Sequence, residues 1–372
     1  MDNAIDRVYK YLEKNVLSEI NITEKNNNYI IENIYNNLVI SQDTNISKDY
    51  IKNRLNKIKD YQKQLIEIKK IPLIIQRSDE WFNVRKNLIT SSDMAQALNK
   101  GKFGSQKDFL IKKVNNLVEN NNTYVQSDNI ALLWGVKYEE VANKIYMKRN
   151  KVEVFEFGLL KHPIIKCFGA SPDGISDLGI MLEIKCPFKR KIDGSIPEQY
   201  WMQIQGQLEV CDLEECDYLE CKLLEYKNEN EFLNDTNKEF NTLTKDFNEK
   251  GILIEYKEDE EMKYLYSDLS MNNNEIIQWK ENIISNFDFT VEFNIIYWKL
   301  NEYFCKRVYR DKVFFNKNIQ HIEFLWNKIL YFAENKDQYF KNILNNKKKR
   351  VFEFKEFDND IILNGFAFTD DD

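Results

Sequence analysis

Histidine is nearly absent from this chain, with only His162 and His321 among 372 residues. That argues against a Ser-His-Asp triad and against zinc held by imidazoles. Glycine and proline are also scarce, at 11 and 5 residues. No apolar run approaches the length of a membrane span, and no basic segment followed by an apolar stretch opens the chain. The expectation is therefore an intracellular protein that is neither secreted nor bound to membrane. The six cysteines (167, 186, 211, 216, 221 and 305) lack the spacing of a disulfide framework, which fits a reducing compartment. Nor is the chain basic. Its net charge of −7 is not the footprint of a general nucleic-acid coat protein, although a local basic groove can sit on an acidic body.

Apolar and aromatic residues are plentiful, at 43% and 13%, so the chain can bury one large core or a core plus a smaller domain. The few special-backbone residues are concentrated. Six glycines and four prolines fall between positions 158 and 206. Within that window lies GASPDGISDLGIMLEIKCP, residues 169–187. Side chains alternate along a strand. In IMLEIK, Ile180, Leu182 and Ile184 thus form one face, and Met181, Glu183 and Lys185 the other. The turn residues before this strand allow Asp173 to lie on the adjacent strand beside Glu183. Two carboxylates and an ammonium at one edge make a site for a hard divalent cation and a polarised water. A lone E-x-K is more often a surface salt bridge, and the context tips the balance here.

Along the chain, residues 1–72 read as an accessory helical region closed by Pro72, with Ser47 a candidate helix cap. Residues 77–226 alternate helices and strands, which implies an α/β core with a mixed sheet. RSDEWFNVRKNLITSSDMAQAL reads as helix, turn, helix. A polar, acidic insertion covers about 228–290 around one strand, GILIEY. One or two strands and a long helix follow over 292–345, and residues 346–372 are a tail.

Further motifs accompany the Asp–Glu–Lys set. WGVKYE places Glu139 on a helix. YWMQIQ puts Tyr200, Gln203 and Gln207 on one helical face. EWFNVRKNLITSSD supplies Arg85, Thr90 and Ser92, which could cradle a phosphate. Each is weak alone. Together and in this order, from Arg77 to about Tyr226, they resemble the lambda-exonuclease or YqaJ-like viral recombinase family of the PD-(D/E)xK nuclease superfamily. WKLNEYFCKRVYRD and the helix after it are similar to the C-terminal end of versions from large DNA viruses.

The resemblance implies a restriction-endonuclease-like core with a central mixed β-sheet flanked by helices, in a nuclease domain spanning 73–345. It makes Asp173, Glu183 and the Ile184 carbonyl metal ligands, with Glu139 adding a carboxylate from the helix side. Lys185 would polarise the attacking water, and Gln203 would complete the catalytic set. Arg85, Ser92 and Ser171, with Thr90 nearby, would bind a 5′-phosphate. One or two Mg²⁺ ions, or Mn²⁺, would serve as cofactor. Some relatives carry a further acidic residue before SPDG, which is missing from LLKHPIIKC.

The implied activity is hydrolysis of duplex DNA from its ends, 5′ to 3′, in recombination or repair of a DNA virus or mobile element. The location would be host cytoplasm, viral factory or nucleus, and a single-strand annealing protein would be a fitting partner. Relatives form rings around DNA, and long additions at both ends of this chain would block or replace a trimeric interface. Three alternatives stand beside this reading: an endonuclease, an inactive DNA-end-binding module, and a nuclease whose Cys211, Cys216 and Cys221 hold an iron–sulfur cluster. The regular spacing of those cysteines speaks against the last.

Overall fold

The computed structural model describes residues 2–15, 24–40, 46–102, 104–119, 129–258 and 261–335. The basic run NKKKR and the tail lie outside them. Three helices open the chain: α1 (Asp2–Asn15), α2 (Glu24–Ile40) and α3 (Lys48–Lys69). Their apolar residues recur at helical spacing and form one buried stripe each, for example Ile51, Leu55 and Ile58 on α3. Ser47 caps α3, accepting a hydrogen bond from the Tyr50 amide.

Next come α4 (Asp79–Lys86), β1 (Ile89–Thr90), a single 3-10 turn, α5 (Met94–Ala97), α6 (Gln106–Glu119) and α7 (Ile130–Asn150). The turn expected after α4 is thus a short strand. Four short strands follow, β2 (Val154–Phe155), β3 (Leu160–Lys161), β4 (Phe168–Ala170) and β5 (Gly174–Ser176), before β6 (Met181–Lys185). Helix α8 (Glu198–Cys211) crosses over to β7 (Glu215–Glu225). The polar region folds as α9 (Glu229–Asn234), the hairpin β8 (Lys250–Glu258) and β9 (Glu261–Tyr266), and α10 (Asn273–Ser285). It therefore holds two strands where the sequence suggested one. The chain continues with one 17-residue strand, β10 (Phe293–Tyr309), and α11 (Lys312–Glu334).

The main sheet has seven strands in the order β2-β5-β6-β7-β10-β8-β9. Within this sheet, among the described residues, β6 and β7 are the one parallel pair, which is why a helix must connect them. A smaller sheet runs β1-β4-β3. Helices cover both faces of the main sheet. Ile180, Leu182 and Ile184 join α1, α2, α3 and α7 in one apolar cluster. Met181 joins α5, α6, α8 and α11 in another. The alternation read from IMLEIK holds, but neither face is open. The architecture is the α/β fold with a central mixed sheet that the sequence implied.

The N-terminal helices share the core of the sheet. Arg54 of α3 and Arg307 of β10 bind Asp6 of α1 and Glu215 of β7 in a buried ionic network, which Arg307 extends to Asp217. Lys10 of α1 reaches Asp177 in the β5–β6 turn, and Gln62 of α3 donates to the Asp177 carbonyl. In that turn Gly179 has φ +72, and a Cβ there would sit 2.5 Å from the Tyr61 backbone. Helix α3 thus backs the turn that joins the two strands of the candidate site. No helix among the described residues is long and apolar enough to cross a membrane.

Candidate active site

Strand pairing brings the acidic residues together. Gly174 pairs with Leu182 across the antiparallel β5–β6 ladder, so Asp173 arrives beside Glu183 at the strand end. Asp173 Oδ2 accepts a hydrogen bond from the Ile184 amide at 2.6 Å. Glu183 is fully buried. One of its oxygens pairs with the Lys185 ammonium, and the other accepts from Gln207 Nε2 at 2.7 Å. Gln207 also donates to the Ser171 carbonyl at 3.3 Å. Helix α8 can approach this closely because Gly206 faces Ser91 and Phe168, where a Cβ would meet both at 3.0 Å.

Glu139 comes from α7 on the opposite wall. It faces Arg77, whose Nη2 lies 3.4 Å away. Arg77 has φ +66, a left-handed conformation uncommon outside glycine. A cavity of about 280 Å³ joins Asp173, Glu139, the Ile184 position, Arg77, Glu140 and Glu156. Burial, then the Glu183 and Glu139 charges, hold the Asp173 carboxyl well above its usual range. Burial likewise raises Glu139, against the attraction of Arg77 and Lys185. Burial alone would lower the Lys185 ammonium, but Glu183 and Asp173 drive it upward, so it stays charged.

Among the described residues no group of three or more His, Cys, Asp or Glu side chains stands ready to enclose a metal ion. The carboxylates are turned to protein donors instead: Glu183 to Lys185 and Gln207, Asp173 to the Ile184 amide, Glu139 toward Arg77. The chemistry of the donor set still fits a hard cation. It consists of carboxylate oxygens and a strand-end carbonyl, and their mutual repulsion is what a divalent ion would relieve.

A second cluster adjoins the first. Arg85 Nη2 donates to Ser92 Oγ at 2.8 Å, and Thr90 Oγ1 lies 3.1 Å from the same atom. The Arg85 guanidinium sits 4.6 Å from the Trp81 ring, and Trp81 Nε1 donates to Ser171 Oγ at 3.1 Å. Asp93 anchors Thr90, accepting from its hydroxyl at 2.8 Å and its amide at 3.1 Å. Buried Lys113 props the same loop by donating to the Leu88 carbonyl at 2.5 Å. The four residues read as phosphate binders are therefore linked through Trp81.

Gln203 lies one turn before Gln207 and is half-buried, while the direct contact to Glu183 comes from Gln207. Sequence reading put both on one helical face and carried Gln203, not Gln207, into the catalytic set. Arg77, Trp81 and Asp93 were also missed, although all three belong to motifs already noted. The cysteines do not converge. Cys211 and Cys216 lie in the apolar cluster on one side of the sheet and Cys221 in that on the other.

Residues 80–214 match the family model of the YqaJ-like viral recombinase domain. The chain is 32% identical over 317 residues to an uncharacterized protein of Acanthamoeba polyphaga mimivirus, covering 74% of this chain and 56% of that one. It is 27% identical over 165 residues to a protein of African swine fever virus, covering 36% and 45% respectively. The chain thus spans about half the length of these curated relatives. Among solved structures, an alkaline exonuclease from Laribacter hongkongensis is similar at TM-score 0.42 and 21% identity, over 73% of this chain and 100% of that one. A phage-related exonuclease from Haemophilus somnus gives TM-score 0.36 and 10% identity, over 70% and 99%.

Proposed function

We propose that this chain, whose residues 80–214 match the YqaJ-like viral recombinase domain, is a metal-dependent exonuclease of the PD-(D/E)xK type acting on the ends of double-stranded DNA. The observation that supports this best is the adjacency of two clusters. Asp173 and Glu139 line one cavity beside the Glu183–Lys185 pair, and Ser171, two residues from Asp173, connects them through Trp81 to Arg85 and Ser92.

Asp173, Glu183, Glu139 and the Ile184 carbonyl would hold Mg²⁺ or Mn²⁺. When bound, such an ion polarises the scissile phosphate and lowers the pKa of a coordinated water. The protein's own groups do the rest. Lys185 Nζ would donate a hydrogen bond to the attacking water and orient it. Gln207 fixes the Glu183 rotamer. Arg85, Thr90, Ser92 and Ser171 would donate hydrogen bonds to a terminal 5′-phosphate, which carries more charge than an internal phosphodiester. That preference is what favours an exonuclease, digesting 5′ to 3′, over an endonuclease.

The test uses linear and covalently closed circular duplexes, with Mg²⁺ or with a chelator, and each strand end labelled in turn. Linear DNA should lose its 5′ label first, closed circles should survive, and the chelator should stop digestion. Circles cut as fast as linear DNA would move the endonuclease reading ahead. Retention of linear DNA without cleavage in Mg²⁺ or Mn²⁺ would favour an inactive end-binding module.

A further inference from the structure

We propose that Tyr264 and Tyr266 form a stacking platform for an unpaired nucleobase next to the scissile phosphate. This rests on the nuclease reading above and adds a requirement for a frayed or single-stranded terminal nucleotide. Both tyrosines come from the β8–β9 hairpin, which lies beyond the matched domain at 80–214. They are two residues apart on β9 and so share a face. Their ring centroids are 6.3 Å apart with planes inclined by 32°. Both rings line the same cavity as Asp173 and Glu139.

The platform is fixed to the helix that carries Glu139. The Tyr266 hydroxyl donates to the Lys137 carbonyl at 3.0 Å, and the Lys137 ammonium lies 3.5 Å from Glu255 on β8. Glu255 pairs with Tyr264 across the hairpin. Rings and carboxylate therefore keep one spacing.

Charge indicates which part of a nucleotide this wall takes. Glu139, Glu140, Glu156 and Asp173 line the cavity with one guanidinium, Arg77, while the Lys144 ammonium lies 3.9 Å from Glu140 and 5.6 Å from the centre of the Tyr266 ring, which leaves the acids in excess. A phosphate entering beside the rings would meet that excess negative charge. A neutral base would meet two aromatic rings and the aliphatic side chains of Leu73, Ile75 and Val136. Stacking on an aromatic face tolerates any base, but it requires the base to leave its duplex stack.

The experiment compares a 5′-phosphorylated duplex with one whose terminal nucleotide lacks its base, using wild type, Tyr264→Leu, Tyr264→Phe and Asp173→Asn. Removing the base should slow wild-type digestion about tenfold in kcat/KM, the order that stacking on one ring supports. Tyr264→Leu should lose about the same factor on the intact end and nothing further on the abasic end. Tyr264→Phe should match wild type. A wild type indifferent to the base, or a Tyr264→Leu variant that slows equally on both ends, overturns the platform. A second readout needs no cleavage: 2-aminopurine at the terminal position should be quenched on binding wild type or Asp173→Asn, and not on binding Tyr264→Leu. Cleavage by Asp173→Asn at the wild-type rate, with quenching intact, would instead count against the catalytic assignment alone.

Discussion

Replacing Arg54 with methionine removes a guanidinium that is only 2% exposed and keeps most of the aliphatic stem. Arg54 Nε and Nη2 donate to Asp6 at 2.8 and 2.7 Å, and Nη1 donates to Glu215 at 2.5 Å. Both carboxylates would stay buried. Burial already holds Asp6 above its usual range, whereas hydrogen bonds from Arg54 and Tyr61 and the charges of Arg54 and Arg307 outweigh burial and bring Glu215 below its own. Removing one partner of a buried ion pair costs about 3–5 kcal/mol. Arg307 remains, bonded to Glu215 and 3.4 Å from Asp6, so the lower end of about 3 kcal/mol is expected. The assay is urea unfolding followed by circular dichroism between pH 7 and pH 4. A depressed carboxyl contributes stability that is present above its unfolded pKa and lost as pH falls through the folded value. In the variant the orphaned acids are raised and take up protons on acidification, which relieves them. The gap between the two proteins should therefore be widest at neutral pH and narrow toward pH 4. A variant within about 1 kcal/mol of wild type at pH 7, or a gap constant across this window, would refute the reasoning.

Asp173→Asn should abolish cleavage yet raise the thermal midpoint of chelator-treated protein at pH 7, because it removes a charge whose ionisation the fold penalises. Since the folded carboxyl is raised, that gain should shrink as pH falls toward the ordinary carboxylate range, and a midpoint lowered at pH 7 would contradict this. Gln207→Leu should reduce kcat by roughly ten- to a hundredfold, the effect of losing one hydrogen bond to a charged group, while Gln203→Leu changes it less; steady-state kinetics decide the order. Arg85→Ala should slow digestion of 5′-phosphorylated ends by roughly ten- to a hundredfold and leave 5′-hydroxyl ends nearly unchanged, a contrast read from the two rates side by side.

Much of the site could be read from sequence because it is local. Glu183 and Lys185 sit on β6, where alternation fixes their face, and Asp173 immediately precedes β5, which a short turn joins to β6. What sequence left open was distance through space. Gln203 and Gln207 are one helical turn apart, so they share a face, and only the seating of α8 on β6 selects Gln207. Residues 1–72 read as accessory because a stripe of isoleucine and leucine does not name what it covers. Their burial against β6 and β7, with Arg54 bonded to Glu215, depends on pairings some 160 residues away in sequence. Strand β9, which bears Tyr264, was hidden for a different reason. Its residues are exposed or half-buried throughout, so period-two alternation is diluted by glutamate and lysine.

Strand β10 has a consequence for how the chain is made. It pairs with β7 over eleven residues and with β8 over seven, yet it is made after every other strand among the described residues. Roughly 80 residues separate the end of β7 from the end of β10, and at ordinary synthesis rates of ~5–20 residues per second they take several seconds to emerge. Throughout that interval β7, and β8 once it has emerged, present bare hydrogen-bonding edges, the kind of surface that recruits strands from other chains. Ribosomes that stall or terminate before residue 293 would release a nascent chain with both edges open. Such products belong with chaperones or in aggregates, and soluble expression should depend sharply on whether β10 is present.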